Sequence, residues 1–243
     1  MKLFTVKNKE AGNKKAFEIV KDQVLKKPDS LIGLAVGKTT DGLYKLISSD
    51  VVKNPKLWKK IKLFQIDEKI GFSPDSKISF NFEIKKELKK LFNIIYPKNI
   101  FLIDGTEKSK KIINKAYKFI RRNKGIDLII LGIGPEYDPH IAYNTTGKSP
   151  LTSKMRVVNL HPKIAAKFVR AIHELPQQGI TLGIKDILET KKALLITYGK
   201  EKAKSIKLAF KGKVDTKRAS ASALQLHKNL NVVIDNNAAK FIK

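Results

Sequence analysis

Side chains that can move protons follow two of the apolar runs in this sequence. Asp138 and His140 lie two residues apart, shortly after the apolar run at 126–133. Asp67 and Glu68 are adjacent and directly follow the run IKLFQI. Carboxylates and imidazoles are common general acids and bases, so both places are candidates for proton transfer. Ordinary turns with solvated side chains are the alternative at each place.

Two further places carry groups that bind anions. The first is the turn at 37–40, made of Gly37, Lys38, Thr39 and Thr40, which joins an apolar run to an amphipathic segment. Such a turn can present backbone N–H groups and hydroxyls to a phosphate, although its spacing is not that of a Walker A loop. A simple helix N-cap is the alternative. The second place is the basic stretch from Gly199 to Lys202, at the start of a predicted helix.

Strands and helices alternate along the chain, which predicts one domain over residues 1–243 with an α/β fold. We expect a doubly wound, mostly parallel sheet with helices on both faces, of the Rossmann-like kind. The carboxyl ends of parallel strands meet at one edge, so all four polar places can converge there. The predicted strands are 31–36, 61–66, 100–103, 126–133, 156–160, 193–197 and 231–234. The predicted helices are 10–27, 43–52, 83–95, 107–123, 164–172, 200–210 and 220–227.

The composition narrows the class of protein. No apolar run approaches the ~20 residues that cross a bilayer, and the start, MKLFTVKNKE, lacks the apolar core of a signal peptide. The absence of cysteine excludes disulfides and thiolate chemistry and is typical of a cytoplasmic protein. The net charge of +28 comes almost entirely from lysine, with only five arginines. The excess of lysine is better explained by an AT-rich genome than by nucleic-acid binding, because arginine is the preferred ligand of bases and phosphates. A protein with this charge would still attract a phosphorylated metabolite.

Several segments resemble the glucosamine-6-phosphate deaminase/isomerase family, which shares its fold with the 6-phosphogluconolactonases. The resemblance covers most of the chain, and its segments keep the order and approximate spacing of that family. They are GLAVGKTTDGLYKLI (33–47), FQIDEKIGF (64–72), LGIGPEYDPHIAYN (131–144), GITLGIKDILETKKALLITYGKEKAKSI (179–206) and SASALQLHKN (220–229).

The resemblance implies a reaction that turns glucosamine 6-phosphate and water into fructose 6-phosphate and ammonia, with no cofactor or metal. In this chain Asp67 matches the carboxylate that moves a proton between C1 and C2 of the open-chain sugar. His140 matches the imidazole that assists ring opening, and Asp138 matches the carboxylate that supports this histidine. The phosphate ligands would be Lys202 and the 37–40 turn. The remaining histidines, His161, His173 and His227, are predicted to be packing or surface residues.

Three departures from the family pattern concern predicted site residues. Thr145 replaces a glutamate that belongs to the ring-opening relay, and Glu136 is a candidate to take its place. Pro139 stands between Asp138 and His140 where the family has glycine. A phosphate-binding arginine is absent at its usual spacing, where Lys167 is the expected substitute and Arg170 the other candidate.

These departures leave two alternatives beside the deaminase. One is a phosphosugar lactonase that uses His140 as the base on a water molecule. The other is a catalytically weak sugar-phosphate-binding protein. In each case the partner is a phosphorylated sugar, and oligomerisation is compatible with the sequence.

Overall fold

A computed structural model describes residues 1–165 and 177–242 of the chain. Its strands are β1 (Lys2–Val6), β2 (Leu31–Leu34), β3 (Lys62–Gln65), β4 (Asp67–Lys69), β5 (Ile100–Phe101), β6 (Leu128–Leu131), β7 (Arg156–Asn159), β8 (Gln178–Thr181), β9 (Ala193–Thr197) and β10 (Leu230–Asp235). Its α-helices are α1 (Lys9–Lys26), α2 (Asp41–Lys53), α3 (Pro55–Trp58), α4 (Phe80–Glu87), α5 (Lys89–Phe92), α6 (Ser109–Arg122), α7 (Pro162–Ala165), α8 (Ile184–Leu188) and α9 (Ala203–Phe210).

Seven parallel strands form the main sheet, in the order β1-β10-β9-β6-β2-β3-β5. Strands β2, β6, β9 and β10 are buried along their whole length, as expected for a parallel sheet covered on both faces. From β2 the chain continues outward through β3 to β5, then crosses to β6 on the other side of β2. This reversal opens a crevice between the carboxyl ends of β2 and β6, where ligands bind in doubly wound folds.

Helices cover both faces of this sheet, which confirms the predicted fold class. Apolar residues of α1, α2, α4 and α5 pack on one face of the sheet, against the residues of β2, β6 and β9 that point to this face. Apolar residues of α6, α8 and α9 pack on the opposite face. In the described part of the chain, no helix is both long enough and apolar enough to cross a membrane.

A second sheet of three antiparallel strands, β4-β8-β7, was not predicted. Only Ile66 separates β4 from β3, so the chain passes from the main sheet into the second sheet at Asp67. Asp67 and Arg156 both pair with Thr181, from the two sides of β8. The solvated turn that was the alternative at Asp67 and Glu68 is therefore wrong, because both residues are buried in a strand.

Other differences from the sequence predictions are local. The single helix expected over 83–95 is wrong, because Leu88 leaves the helical conformation (φ −105°, ψ 21°) and separates α4 from α5. Strand β1 was not predicted and forms the edge of the main sheet beside β10. The helix expected over 164–172 falls mostly outside the described residues.

Candidate active site

Asp67 and Glu68 point to opposite faces of β4, because side chains alternate along a strand. Their surroundings differ accordingly. The Glu68 carboxylate is completely buried and accepts hydrogen bonds from the backbone N–H groups of Phe80 and Asn81, at 2.9 and 2.7 Å. It also accepts from the Ser79 hydroxyl and the Gln65 amide, each at 2.9 Å. Glu68 therefore caps the N-terminus of α4, and its role is structural.

Asp67 has no such set of donors. The residue is only 5% exposed, and no hydrogen bond reaches its carboxylate from the residues that the structure describes. Burial, together with the neighbouring charge of Glu68, raises the pKa of Asp67 to about 7. A carboxyl group with this pKa exchanges its proton at neutral pH, as a general acid or base must.

His140 and Asp138 form a hydrogen-bonded pair at the carboxyl end of β6. The distance from His140 Nδ1 to Asp138 Oδ2 is 3.0 Å, and the Thr146 backbone N–H donates to Asp138 Oδ1 at 2.8 Å. Burial opposes ionisation of Asp138, but the hydrogen bonds from His140 and Thr146 and the His140 charge leave its pKa below the usual value. An ionised Asp138 holds the proton on Nδ1, which leaves Nε2 as the exchangeable atom.

The loop from Gly134 to His140 is closed on itself. The Gly134 N–H donates to the His140 carbonyl at 2.8 Å, and the His140 N–H donates to the Asp138 carbonyl at 2.8 Å. A Cβ on Gly134 would lie 2.5 Å from His140 Nδ1 and 2.2 Å from the Asp138 carbonyl oxygen. Glycine at 134 is thus required for the imidazole to take this position.

Thr181 connects this loop to the strand that carries Asp67. Its hydroxyl accepts a hydrogen bond from the Tyr143 N–H at 3.1 Å, and it lies directly opposite Asp67 in the second sheet. The Asn144 side chain donates to the Leu182 carbonyl at 2.8 Å, which adds a second connection. Sequence reasoning missed Thr181, because its position depends on the antiparallel pairing of β4 and β8.

The family-like segment at 220–229 supports the same loop from the other side. The Ala221 N–H donates to the Pro139 carbonyl at 3.0 Å, and the Ser220 hydroxyl donates to the Asn144 carbonyl. His227 is buried, and its Nε2 lies 3.0 Å from the Thr190 hydroxyl. The predicted packing role of His227 agrees with these contacts.

The 37–40 turn follows β2 at the same edge of the main sheet. Gly37 has φ +145°, and its carbonyl accepts hydrogen bonds from the Thr40 N–H and hydroxyl, both at 2.8 Å. The Lys38 side chain is exposed, whereas its carbonyl accepts from Lys9 Nζ at 3.0 Å. Thr39 is partly exposed and Thr40 is buried. The exposed part of the turn lies beside the crevice between β2 and β6.

Lys202 approaches the crevice from the end of β9. Its Nζ donates to the carbonyl of Ile133 at 2.7 Å, which brings the ammonium to the loop that follows β6. The neighbouring Glu136 is 52% exposed and forms an ion pair with Lys204 at 2.9 Å. In the described part of the chain, Glu136 makes no hydrogen bond to Asp138 or His140, and the second oxygen of Asp138 accepts from the Thr146 N–H.

The structure thus places most of the predicted site residues at the carboxyl edge of the main sheet: Gly37, Lys38, Thr39, Thr40, Asp67, Asp138, His140 and Lys202. Lys167 and its alternative Arg170 lie outside the described residues, as does His173. Within residues 1–165 and 177–242, no group of three His, Asp or Glu side chains has the arrangement of a metal site.

Comparisons with known proteins give one consistent family. Residues 9–233 match the model of the family described as "Glucosamine-6-phosphate isomerases/6-phosphogluconolactonase". A glucosamine-6-phosphate deaminase from Thermoanaerobacter sp. (strain X514) is 35% identical over 246 residues, covering 100% of this chain and 95% of the relative. A glucosamine-6-phosphate deaminase from Clostridium botulinum (strain Langeland / NCTC 10281 / Type F) is 35% identical over 248 residues, covering 100% and 99%.

Solved structures agree with this result. A monomeric glucosamine-6-phosphate deaminase superposes with a TM-score of 0.89 at 27% identity, covering 99% of this chain and 100% of that one. The 6-phosphogluconolactonase from Trypanosoma brucei superposes with a TM-score of 0.80 at 14% identity, covering 100% and 98%. The second likeness establishes a common fold and no more.

Proposed function

The chain belongs to the glucosamine-6-phosphate isomerase/6-phosphogluconolactonase family, and we propose that it is a glucosamine-6-phosphate deaminase. The overall reaction converts glucosamine 6-phosphate and water to fructose 6-phosphate and ammonia. The observation that carries this proposal is the environment of Asp67. A buried carboxyl group with a pKa of about 7 lies at the same sheet edge as an Asp–His pair and a lysine.

Binding of the substrate begins at its phosphate in this proposal. The exposed Lys38 and partly exposed Thr39 of the 37–40 turn, together with the ammonium of Lys202, provide donors and positive charge at the crevice. The Thr40 N–H and hydroxyl close the turn on the Gly37 carbonyl. Lys167 is proposed as a further phosphate ligand. Anchoring the phosphate fixes the sugar, so that its reacting carbons stay beside the acid–base groups.

Ring opening is assigned to His140. A proton must leave O1 and another must reach O5, and an imidazole can do both in turn. Asp138 is bonded to Nδ1 and holds the ring orientation and the tautomer, as in the logic of a catalytic triad. With Thr145 in place of the relay glutamate, the pair acts without a second carboxylate.

Proton transfer between carbons is assigned to Asp67. The ionised carboxylate takes the proton from C2 of the open-chain aldehyde while a proton from the C2 ammonium reaches O1, which gives an enolamine. The carboxyl group then returns a proton to C1, the nitrogen becomes a protonated imine at C2, and water hydrolyses this imine to the ketone and ammonia. A single carboxylate serves both carbons because they are adjacent, and its pKa near neutrality suits both directions of transfer.

The test is direct. The purified protein is incubated with glucosamine 6-phosphate, and ammonia and fructose 6-phosphate are measured together. We expect both products in equal amounts, and no turnover by Asp67→Asn. Hydrolysis of 6-phosphogluconolactone without ammonia release would favour the lactonase instead. Binding of both sugar phosphates without turnover of either would indicate a binding protein.

The cellular location and the oligomeric state of the protein are the last parts of the proposal. We propose a cytoplasmic protein, in agreement with the absence of cysteine and a phosphorylated substrate. One solved relative is described as monomeric. Sedimentation analysis with and without glucosamine 6-phosphate will determine whether this chain assembles.

A further inference from the structure

The first two turns of α1 lie against the 37–40 turn. Lys9 is the first residue of this helix, and its Nζ donates a hydrogen bond to the Lys38 carbonyl at 3.0 Å. Asn13 is buried one turn further along the same side of the helix. A Cβ on Gly42 would lie 1.9 Å from the Asn13 Nδ2 atom, so these two residues are in close contact. Two side chains of α1 therefore contact the turn and the start of α2 behind it.

Helix α1 is a firm support for the Lys9 side chain. The Asn8 side chain caps the helix by accepting a hydrogen bond from the Ala11 N–H at 3.0 Å. The inner side of the helix is buried in the core. Lys9 does not stabilise the helix by its charge, because a positive charge in the first turn opposes the helix dipole. The contact that the ammonium makes is with the Lys38 carbonyl.

This hydrogen bond determines which way one peptide group of the turn faces. The peptide between Lys38 and Thr39 is trans, so its C=O and its N–H point in opposite directions. The Lys38 carbonyl points toward Lys9, and the Thr39 N–H therefore points away from α1. Among the residues that the structure describes, none accepts a hydrogen bond from this N–H. The N–H is thus available to a ligand at the exposed part of the turn.

The charge of Lys9 also affects how strongly the Thr39 N–H donates. A cation bound to a carbonyl polarises the peptide group, and a polarised N–H forms a stronger hydrogen bond with an anion. No carboxylate of the described chain forms an ion pair with the Lys9 ammonium, so its charge is not neutralised there. Lys9 therefore favours binding of an anion at the turn both by orientation and by charge.

We propose that Lys9 is a positioning residue, which holds the Lys38–Thr39 peptide with its N–H available to the substrate phosphate. The role of Lys9 rests on the proposed function for the identity of this ligand, and it adds α1 to the elements that form the phosphate subsite. The phosphate takes no part in the chemical step, so it is held equally in the ground state and the transition state. Loss of Lys9 should therefore raise KM and leave kcat unchanged.

The test compares Lys9→Met with the matched control Lys14→Met. Each variant removes one positive charge from α1, but the Lys14 ammonium pairs with Glu10 at 3.0 Å and makes no contact with the turn. We expect the KM for glucosamine 6-phosphate to rise about fivefold in Lys9→Met, as for the loss of one hydrogen bond, and kcat to stay within about twofold. In Lys14→Met both constants should stay within about twofold. Equal KM values for the two variants overturn the proposal.

Two further measurements separate positioning from a general loss of structure. Lys9→Arg should keep a KM close to that of the unaltered protein, because a guanidinium also donates to a carbonyl and keeps the charge. The free energy of unfolding of Lys9→Met should equal that of the unaltered protein, since Lys9 is exposed. A loss of stability that accounts for the change in KM would make Lys9 a structural residue and overturn the proposal.

Binding of glucose 6-phosphate separates the role of Lys9 from the proposed function. This sugar carries the phosphate but no amine, and calorimetry measures its Kd without turnover. We expect the Kd to rise about fivefold in Lys9→Met and to change little in Lys14→Met. If this difference appears in a protein without deaminase activity, the proposed function fails and the role of Lys9 stands. If the deaminase is active while Kd and KM are unchanged in Lys9→Met, the role of Lys9 fails and the proposed function stands.

Discussion

Asp67 and Asp138 are two aspartates in neighbouring parts of the site, yet their environments shift their pKa values in opposite directions. Both are buried, at 5% and 1% exposure. Asp138 accepts hydrogen bonds from His140 and from the Thr146 N–H, and its pKa is lowered. Asp67 lacks comparable donors in the described structure, lies beside Glu68, and has a pKa of about 7.

One side-chain type can therefore serve two purposes in this site, depending on its hydrogen-bond donors. A carboxylate whose oxygens are both satisfied stays charged and holds its partner in place. A carboxylate left without donors in a buried position gains and loses its proton near neutral pH. Such paired groups with opposite pKa shifts are the pattern expected of acid–base sites.

The largest effect is expected at Asp67. Asp67→Asn removes the group that carries the proton between C2 and C1, so kcat should fall by about 10³-fold or more. KM should change little, because Asp67 makes no contact with the phosphate in the proposed mechanism. Steady-state kinetics measure both constants. A variant that keeps a tenth of the activity would remove Asp67 from the mechanism.

Asp138→Asn should have a smaller effect on the same reaction. The asparagine still bonds to His140, but it no longer favours the useful tautomer or stabilises a charged imidazole. We expect kcat to fall on the order of 10²-fold. Supplying a substrate analogue that is already in the open-chain form should restore much of the rate. Equal losses on closed and open forms would contradict the ring-opening role.

Most of the fold followed from the sequence, because strands such as LIIL and ALLIT are short apolar runs separated by amphipathic helices. The site residues followed from family-like segments and from the rule that strand ends share an edge. The second sheet could not be predicted from the sequence. Asp67-Glu68-Lys69 has a charge at every position, and only the tertiary structure turns this into a buried strand.

The distinction between Asp67 and Glu68 also required the structure. Two adjacent carboxylates read alike in a sequence, and only the direction of each side chain in β4 separates them. Thr181 and Thr146 were missed for other reasons. Their roles depend on antiparallel pairing and on a backbone N–H, and neither leaves a motif in the sequence.

Glu68→Gln provides the matched comparison for Asp67→Asn on the neighbouring position. The substitution keeps the size of the side chain but weakens the cap of α4, where Glu68 accepts from Phe80, Asn81 and Ser79. We expect a loss of about 2–3 kcal/mol in the free energy of unfolding. The kcat of the folded fraction should stay within a few-fold of the unaltered protein. Chemical denaturation and kinetics below the unfolding transition test these two statements.

Stability should change in opposite directions when the two aspartates are replaced. The folded pKa of Asp67 lies above its usual value of 3.8, so ionisation destabilises the fold as pH rises from about 4 to 7. Asp67→Asn should therefore be more stable than the unaltered protein at pH 8, by roughly 1–2 kcal/mol, and the gain should disappear near pH 4.

Asp138→Asn should change the stability of the fold in the opposite direction. The folded pKa of Asp138 is lowered, so its stabilisation is present above the usual value of 3.8 and is lost as pH falls through the folded pKa. The variant should be less stable at neutral pH by roughly 1–2 kcal/mol, and the loss should shrink below pH 4. Urea denaturation at pH 4, 6 and 8 measures both variants. The same sign for both would contradict the comparison.

Transfer of an isotopic label from C2 to C1 reports on the proton transfer assigned to Asp67. Glucosamine 6-phosphate carrying deuterium at C2 is converted in ordinary water, and C1 of the fructose 6-phosphate is examined by NMR or mass spectrometry. If the Asp67 carboxyl takes the C2 proton and returns it to C1, part of the deuterium should appear at C1, and Asp67→Asn should form no labelled product. Fructose 6-phosphate that forms without deuterium at C1, and at a similar rate in Asp67→Asn, would contradict this role of Asp67.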